Sequence, residues 1–176
     1  MQDWFEFEAR CEIALYTGSP MLSAQQTHHS FRDLGRSMLL RAQPIRVLSR
    51  SLLARLELAA TPDPASLKRV AKVADKLAGE GVGYAQVNAH LLRAAVARQL
   101  GQEDVVVAEL RKSVALAEEN SMGFQRAAAQ RQLGRTLSGS EGMSLIATSD
   151  AWLAKEGIIN AERMCDVVAP GFTRGK

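Results

Sequence analysis

Between residues 64 and 157 the apolar positions recur every three or four residues, in stripes that stop at glycine or asparagine. Leu67, Val70, Ala71, Ala74, Leu77 and Ala78 make one stripe, Val106, Leu110, Val114 and Ala117 another, and Leu145, Ser149, Trp152 and Leu153 a poorer third. That spacing places the apolar side chains on one face of an amphipathic helix. Each stripe closes on nearly the same five residues: LAGEG (77–81), LAEEN (116–120) and LAKEG (153–157), offset by 39 and then 37 positions. Gly81, Asn120 and Gly157 are residue types that enter the left-handed conformation just past a helix end at little cost. The pentamer therefore predicts the last turn of a helix and its stop.

A second helix follows each stop. Tyr84, Val87, Leu91, Ala94, Ala95 and Arg98 form a stripe ending at Gly101, while Phe124, Ala127, Ala128 and Arg131 open another that breaks at SGSEG (138–142). The unit is thus a helical hairpin with a period of 37–39 residues. Such a hairpin cannot bury its apolar face alone, so units stack on a shared core. The pattern predicts an all-α fold, an α-solenoid of stacked antiparallel hairpins over residues 64–159. The many alanines fit close helix approach. AVARQLG (95–101) and AAQRQLG (128–134) also match, at an offset of 33, and read as an echo of composition.

Residues 1–60 carry looser helical patterns. Ser19 and Pro20 offer a helix start, followed by Phe31, Leu34, Met38 and Leu39 in a helix over 19–42. Pro44 starts another, with Ile45, Leu48, Leu52 and Leu56 along one face, and TPDP (61–64) is a turn because proline is excluded from helix interiors. The first helix has two apolar stripes: Trp4, Phe7, Cys11 and Ala14 on one side, and Phe5, Ala9, Ile13 and Tyr16 displaced around the axis. A terminal helix with both sides apolar predicts a contact through the second stripe, with an upstream domain, a partner or a second copy, unless helix 19–42 covers it. At the other end, Asn160 caps a short helix within 160–176, and Phe172 folds back to close the core.

Several residue types suggest chemistry, and the spacing argues against it. GEGVGY (79–84) has no preceding strand and no lysine where a phosphate loop needs one. His28 and His29 are adjacent, so on a helix they diverge by about 100° and make a poor ligand pair. Cys11 and Cys165 sit among apolar residues at helical spacing, as buried thiols do. No catalytic constellation, metal site or cofactor motif emerges, and the expectation is a non-enzyme. The N-terminus is acidic and aromatic, unlike a secretory leader, and no apolar run approaches bilayer length, which predicts a cytoplasmic protein.

Charge adds one feature. The chain carries a net +3, but residues 31–57 concentrate Arg32, Arg36, Arg41, Arg46, Arg50 and Arg55 against Asp33 and Glu57. Two readings compete: a recognition surface for an acidic protein segment, centred on Arg36, Arg46 and Arg50, or a face paired with glutamates of neighbouring repeats. The modest net charge and the lack of neighbouring aromatics argue against nucleic acid. On the groove side of the predicted stack, Asn88 and His90 are the candidates for partner contact.

The window LGQEDVVVAELRKSVALAEEN (100–120) resembles a tetratricopeptide repeat, with Gly101 at the turn and Val106 and Ser113 at the family's small positions. The tryptophan and tyrosine that the family places in its first helix are not matched within 84–100. Three longer segments, ALYTGSP (14–20), SMLLRAQPIRVLSRSLLARLELAA (37–60) and AWLAKEGIINAERMCDVVAPGF (151–172), are similar to the C-terminal helical-repeat end of bacterial, myxobacterial-type serine/threonine protein kinases fused to an AAA-type ATPase module. Ala161 stands where that family often has proline. The kinase HRD and DFG motifs and the Walker A sequence are absent, so no catalytic residue transfers. The resemblance implies a protein-interaction or sensing module, engaging a protein partner or its own upstream domains. The alternative is self-association through the N-terminal aromatic helix.

Overall fold

The computed structural model describes residues 2–19, 38–60 and 62–172. Among them are eight α-helices and no strand: α1 (Gln2–Thr17), α2 (Gln43–Ala59), α3 (Pro64–Ala78), α4 (Gly83–Gln99), α5 (Glu103–Glu119), α6 (Gly123–Leu137), α7 (Gly139–Lys155) and α8 (Ala161–Val168). A 3-10 turn, Met38–Arg41, precedes α2. The all-α expectation holds for the described residues. The helix expected over 19–42 is seen only at its end, as that turn; Phe31, Leu34, Arg32, Arg36, His28 and His29 lie outside the described residues.

Helix boundaries follow local chemistry. Pro44 lies in the first turn of α2, and Pro64 in that of α3, where Asp63 accepts a hydrogen bond from the Ser66 amide at 2.6 Å. Asn160 caps α8 by accepting from the Arg163 amide at 3.0 Å. The left-handed residues after α3 and α7 are Gly81 (φ 71°) and Gly157 (φ 77°), as the pentamers predict. The middle copy departs by one position. Asn120 stays at φ −96° and Ser121 takes φ 56°, because α5 runs through both glutamates before stopping.

The break after α6 is tighter than SGSEG suggested. Only Ser138 separates α6 from α7, at φ 58° and ψ −168°. That region is nearly restricted to glycine and costs other residues on the order of 1–3 kcal/mol. Ser138→Gly is therefore expected to raise stability by about 1 kcal/mol, read as a higher urea midpoint with an unchanged slope; a lower midpoint would contradict the strain.

Successive helices from α2 to α7 pack on one another, and α2 also touches α4. Two helix pairs, α4–α5 and α6–α7, repeat the same contact, and each pair joins the second helix of one predicted hairpin to the first helix of the next. Ser113, the eleventh residue of α5, donates to the Val87 carbonyl, on the fifth residue of α4, at 3.4 Å. Ser149, the eleventh residue of α7, donates to the Ala127 carbonyl, on the fifth residue of α6, at 2.8 Å. In the α2–α3 pair the corresponding residues are Val47 and Ala74, both fully buried. Alanines 85, 89, 94, 95, 127, 128 and 129 line the shared interior, where small side chains let backbones approach.

A second apolar cluster joins the two ends of the chain. Trp4, Phe7, Cys11, Ala14 and Leu15 of α1 pack with Leu52 and Leu56 of α2 and Val167 of α8. The Trp4 and Phe7 rings lie 5.9 Å apart. Beyond α8 the chain runs over α2, α4 and α6, and Ala169, Pro170, Gly171 and Phe172 are all buried. Three carbonyls at alternate positions are each held by a different helix. Val167 accepts from Arg55 of α2 at 2.9 Å, Ala169 from Gln132 of α6 at 3.2 Å, and Gly171 from Gln99 of α4 at 2.5 Å. Gly171 (φ 86°) takes a left-handed conformation that favours glycine, and a Cβ there would also press on Leu58 at 3.3 Å.

Candidate interaction surfaces

The arginines of α2 are engaged within the fold. Glu80, in the loop between α3 and α4, accepts from Arg46 Nε at 2.8 Å and Nη2 at 2.7 Å, and from Arg50 Nη1 at 2.9 Å. Gln43 donates to the Glu80 backbone carbonyl at 2.9 Å. The remaining Arg46 donor, Nη1, bonds the carbonyls of Leu40 and Arg41 at 3.1 Å each. Arg46 thus staples the 3-10 turn and the 79–82 loop to the start of α2. Arg55 is bound to Glu12 of α1 at 2.9 Å as well as to Val167. Of the two readings of the arginine series, this geometry is the one in which carboxylates elsewhere in the fold take the guanidinium edges. Arg41 is exposed, and Arg36 lies outside the described residues.

The hydrogen bonds from Arg46 hold the Glu80 carboxyl at about 2, against an opposing push from burial. A carboxyl held below its unfolded value contributes stability above that value and loses it as the pH falls. Stability should therefore drop between about pH 4.5 and 2. Glu80→Gln is expected to melt lower at neutral pH and to show a flatter profile across that window; parallel profiles for the two proteins would contradict the clamp. Asp166 works in the opposite sense. Burial is the main cause raising its carboxyl, so its ionisation costs stability as the pH rises.

Asn88 and His90 are also turned inward. Asn88 is buried and donates to the Tyr84 carbonyl one turn back, at 2.8 Å. His90 Nδ1 meets Glu109 of α5 at 2.7 Å, and Glu109 also takes Lys112 Nζ at 3.0 Å. Burial pushes the Glu109 carboxyl up, but the hydrogen bonds and electrostatic attraction of His90 and Lys112 together outweigh it and leave the group below the ordinary range. The trio ties α4 to α5. Two positions apart on one helix, Asn88 and His90 point to nearly opposite sides of it.

Both cysteines are fully buried, and burial raises the Cys165 thiol to about 11, which keeps it protonated and unreactive. A cavity of about 250 Å³ lies beside the C-terminal strap, with Arg163 and Asp166 among its lining residues and Leu15 and Leu58 as its apolar wall.

Helix α1 presents a second, exposed stripe. Its first stripe is core, whereas Phe5 is 59%, Ile13 62% and Tyr16 42% exposed, with Ala9 exposed between them. Large apolar side chains aligned on one helix face are the kind of feature that marks a contact surface. Periodicity located this ridge, and Phe172 is buried in the main core as expected; the carbonyl ties that hold the strap were not foreseen.

Among the described residues the fold is all-helical, ties Arg46, Arg50, Asn88 and His90 to internal partners, and leaves Phe5, Ile13 and Tyr16 exposed. No helix among the described residues is long and apolar enough to cross a membrane. Compared with protein-family models, curated proteins and solved structures, the chain finds no match in any of the three.

Proposed function

We propose that this chain is a non-catalytic protein-interaction module, an α-solenoid of tetratricopeptide-like hairpins that docks a protein partner, or the upstream domains of its own signalling protein, through α1. The serine-to-carbonyl tie that recurs between α4 and α5 and between α6 and α7, at the junctions of successive units, supports the tandem-unit reading. The observation that carries the function is the Phe5, Ile13, Tyr16 ridge, exposed on a helix whose other side is locked into the core. Arg46, Arg50, Asn88 and His90 each make hydrogen bonds within the fold, to Glu80, Tyr84 and Glu109, which favours α1 over them as the contact surface. The resemblance over 14–20, 37–60 and 151–172 favours a bacterial cytoplasmic signalling protein with a kinase and an AAA-type ATPase as the setting.

Site-specific photo-crosslinking in the native host tests the reading. A photoreactive residue at position 5 or 13 should capture a discrete protein product, and one at the exposed Arg111 position on α5 should not. Equal labelling from all three positions, or none from any, would sink it. Charge reversal at Arg46 is a poor probe, because it breaks the Glu80 clamp and perturbs the fold.

A further inference from the structure

We propose that the occupant of the α1 ridge is a second copy of this chain, the two α1 helices pairing antiparallel about a two-fold axis at Ala9. The inference rests on the interaction-module reading and specifies its partner.

The ridge is self-complementary. Phe5, Ala9, Ile13 and Tyr16 are spaced by four, four and three residues, which keeps them on a strip about 80° wide. Its smallest member lies at the centre, with a large apolar residue four positions to either side. An antiparallel partner centred there sets Phe5 against Ile13 of the other copy, twice, and alanine at the crossing permits the helices to approach to roughly 10 Å between axes.

Charge agrees with the same geometry. Glu6 and Arg10 share one flank of the ridge and pair with each other at 2.5 Å. A two-fold axis across the helices brings that flank against its own copy, so each Glu6 comes beside the other Arg10 and two reciprocal pairs form. On the opposite flank Glu12 is neutralised by Arg55 at 2.9 Å. That leaves Glu8 meeting its own copy near the axis, a like-charge contact that weakens the pair without preventing it. A single helix pair also buries less than the roughly 1,200 Å² of an ordinary specific interface, so association is expected to be reversible, with a dissociation constant on the order of micromolar.

Sedimentation and light scattering of the full chain over a wide concentration range test this. The expected result is a mass that rises from one copy toward two. Phe5→Ala with Ile13→Ala should weaken association at least tenfold while the circular dichroism spectrum stays unchanged, since both side chains are exposed. Arg10→Glu should weaken it, and Glu8→Gln should strengthen it several-fold, a sign that nonspecific apolar association does not produce. Ala9→Cys should yield a disulfide-linked dimer under mild oxidation, and Arg111→Cys should not. A single-copy mass at every concentration overturns the proposal, as does a dimer indifferent to all these changes. If the chain is monomeric yet position 5 crosslinks to a different protein, the second copy is wrong and the module reading stands. If position 5 crosslinks only to residues 20–37 of its own chain, both fall.

Discussion

Truncation after Ile159 is expected to leave a chain that aggregates and lacks a cooperative melt. The segment removed is part of the core. Cys165, Val167, Val168, Ala169 and Phe172 are buried, and Phe172 closes the main apolar cluster. Its loss uncovers apolar surface on α2, α4 and α6 at once and strands the polar side chains that hold it. Gln132 is the worst placed. It is 1% exposed, its Oε1 has no partner, and its amide group bonds the Ala169 carbonyl and the Asp166 carboxyl, both of which leave with the segment. A buried amide with neither end satisfied costs far more than the bond it made. Arg55 and Gln99 lose acceptors in the same step. Phe172→Ala is the graded version and should cost about 3 kcal/mol, the low end for an aromatic truncated to alanine in a core. Urea denaturation followed by circular dichroism measures both. Because Trp4 packs in a cluster with Val167, truncation should also shift tryptophan emission to longer wavelength. A truncated chain with the parent midpoint would show that the strap is a passenger.

Much of this fold is legible in the chain because helices declare themselves locally. The stripe before Gly81 and the turn at Gly157 carry their own stop signals, and Asn160 three residues before Arg163 is a cap that needs no tertiary information. The two-sided character of α1 is likewise written in the spacing of Phe5, Ile13 and Tyr16. The strap is different. What fixes it is a row of backbone carbonyls at 167, 169 and 171, and carbonyls are common to every residue, so periodicity cannot point to them. One signal was present. The two RQLG echoes, at an offset of 33, supply Gln99 and Gln132, both of which reach the strap, so a match that reads as shared composition has a structural use. The arginine series was ambiguous for a related reason. Whether Arg46 and Arg50 face solvent or Glu80 depends on a loop 34 and 30 residues away, and helical spacing is silent about distant loops.

The α6–α7 crossing yields the other large effect, through residues that propensity scales would misjudge. Gly134→Ala replaces a mid-helix glycine, a change that ordinarily gains up to about 1 kcal/mol in an exposed helix. Here the sign should reverse. A Cβ at 134 would lie 2.5 Å from the Gly142 carbonyl oxygen and 2.8 Å from the Ile146 side chain, and one at 142 would lie 2.4 Å from the Gly134 carbonyl oxygen. The obstacle on each side is backbone, which cannot rotate aside, and only Ser138 links the two helices, so they cannot slide apart without disturbing a residue that is already strained. Overpacking of this kind costs about 1–3 kcal/mol, and rigid neighbours place both substitutions toward the top of that range even after the helix gain. Because each methyl would push the same pair of backbones apart, the double variant should cost less than the sum of the two. Gly83→Ala is the control. Its Cβ would meet the Asn120 amide group at 1.8 Å, closer still, but that group is the end of a flexible side chain that donates to the Leu116 carbonyl at 2.8 Å. Rotation of Asn120 should relieve the overlap for well under 1 kcal/mol, roughly the cost of one exposed hydrogen bond. Chemical denaturation of the four proteins distinguishes a stack whose spacing is set by backbone contact at Gly134 and Gly142 from one that yields there, for in the latter case both alanines would stabilise.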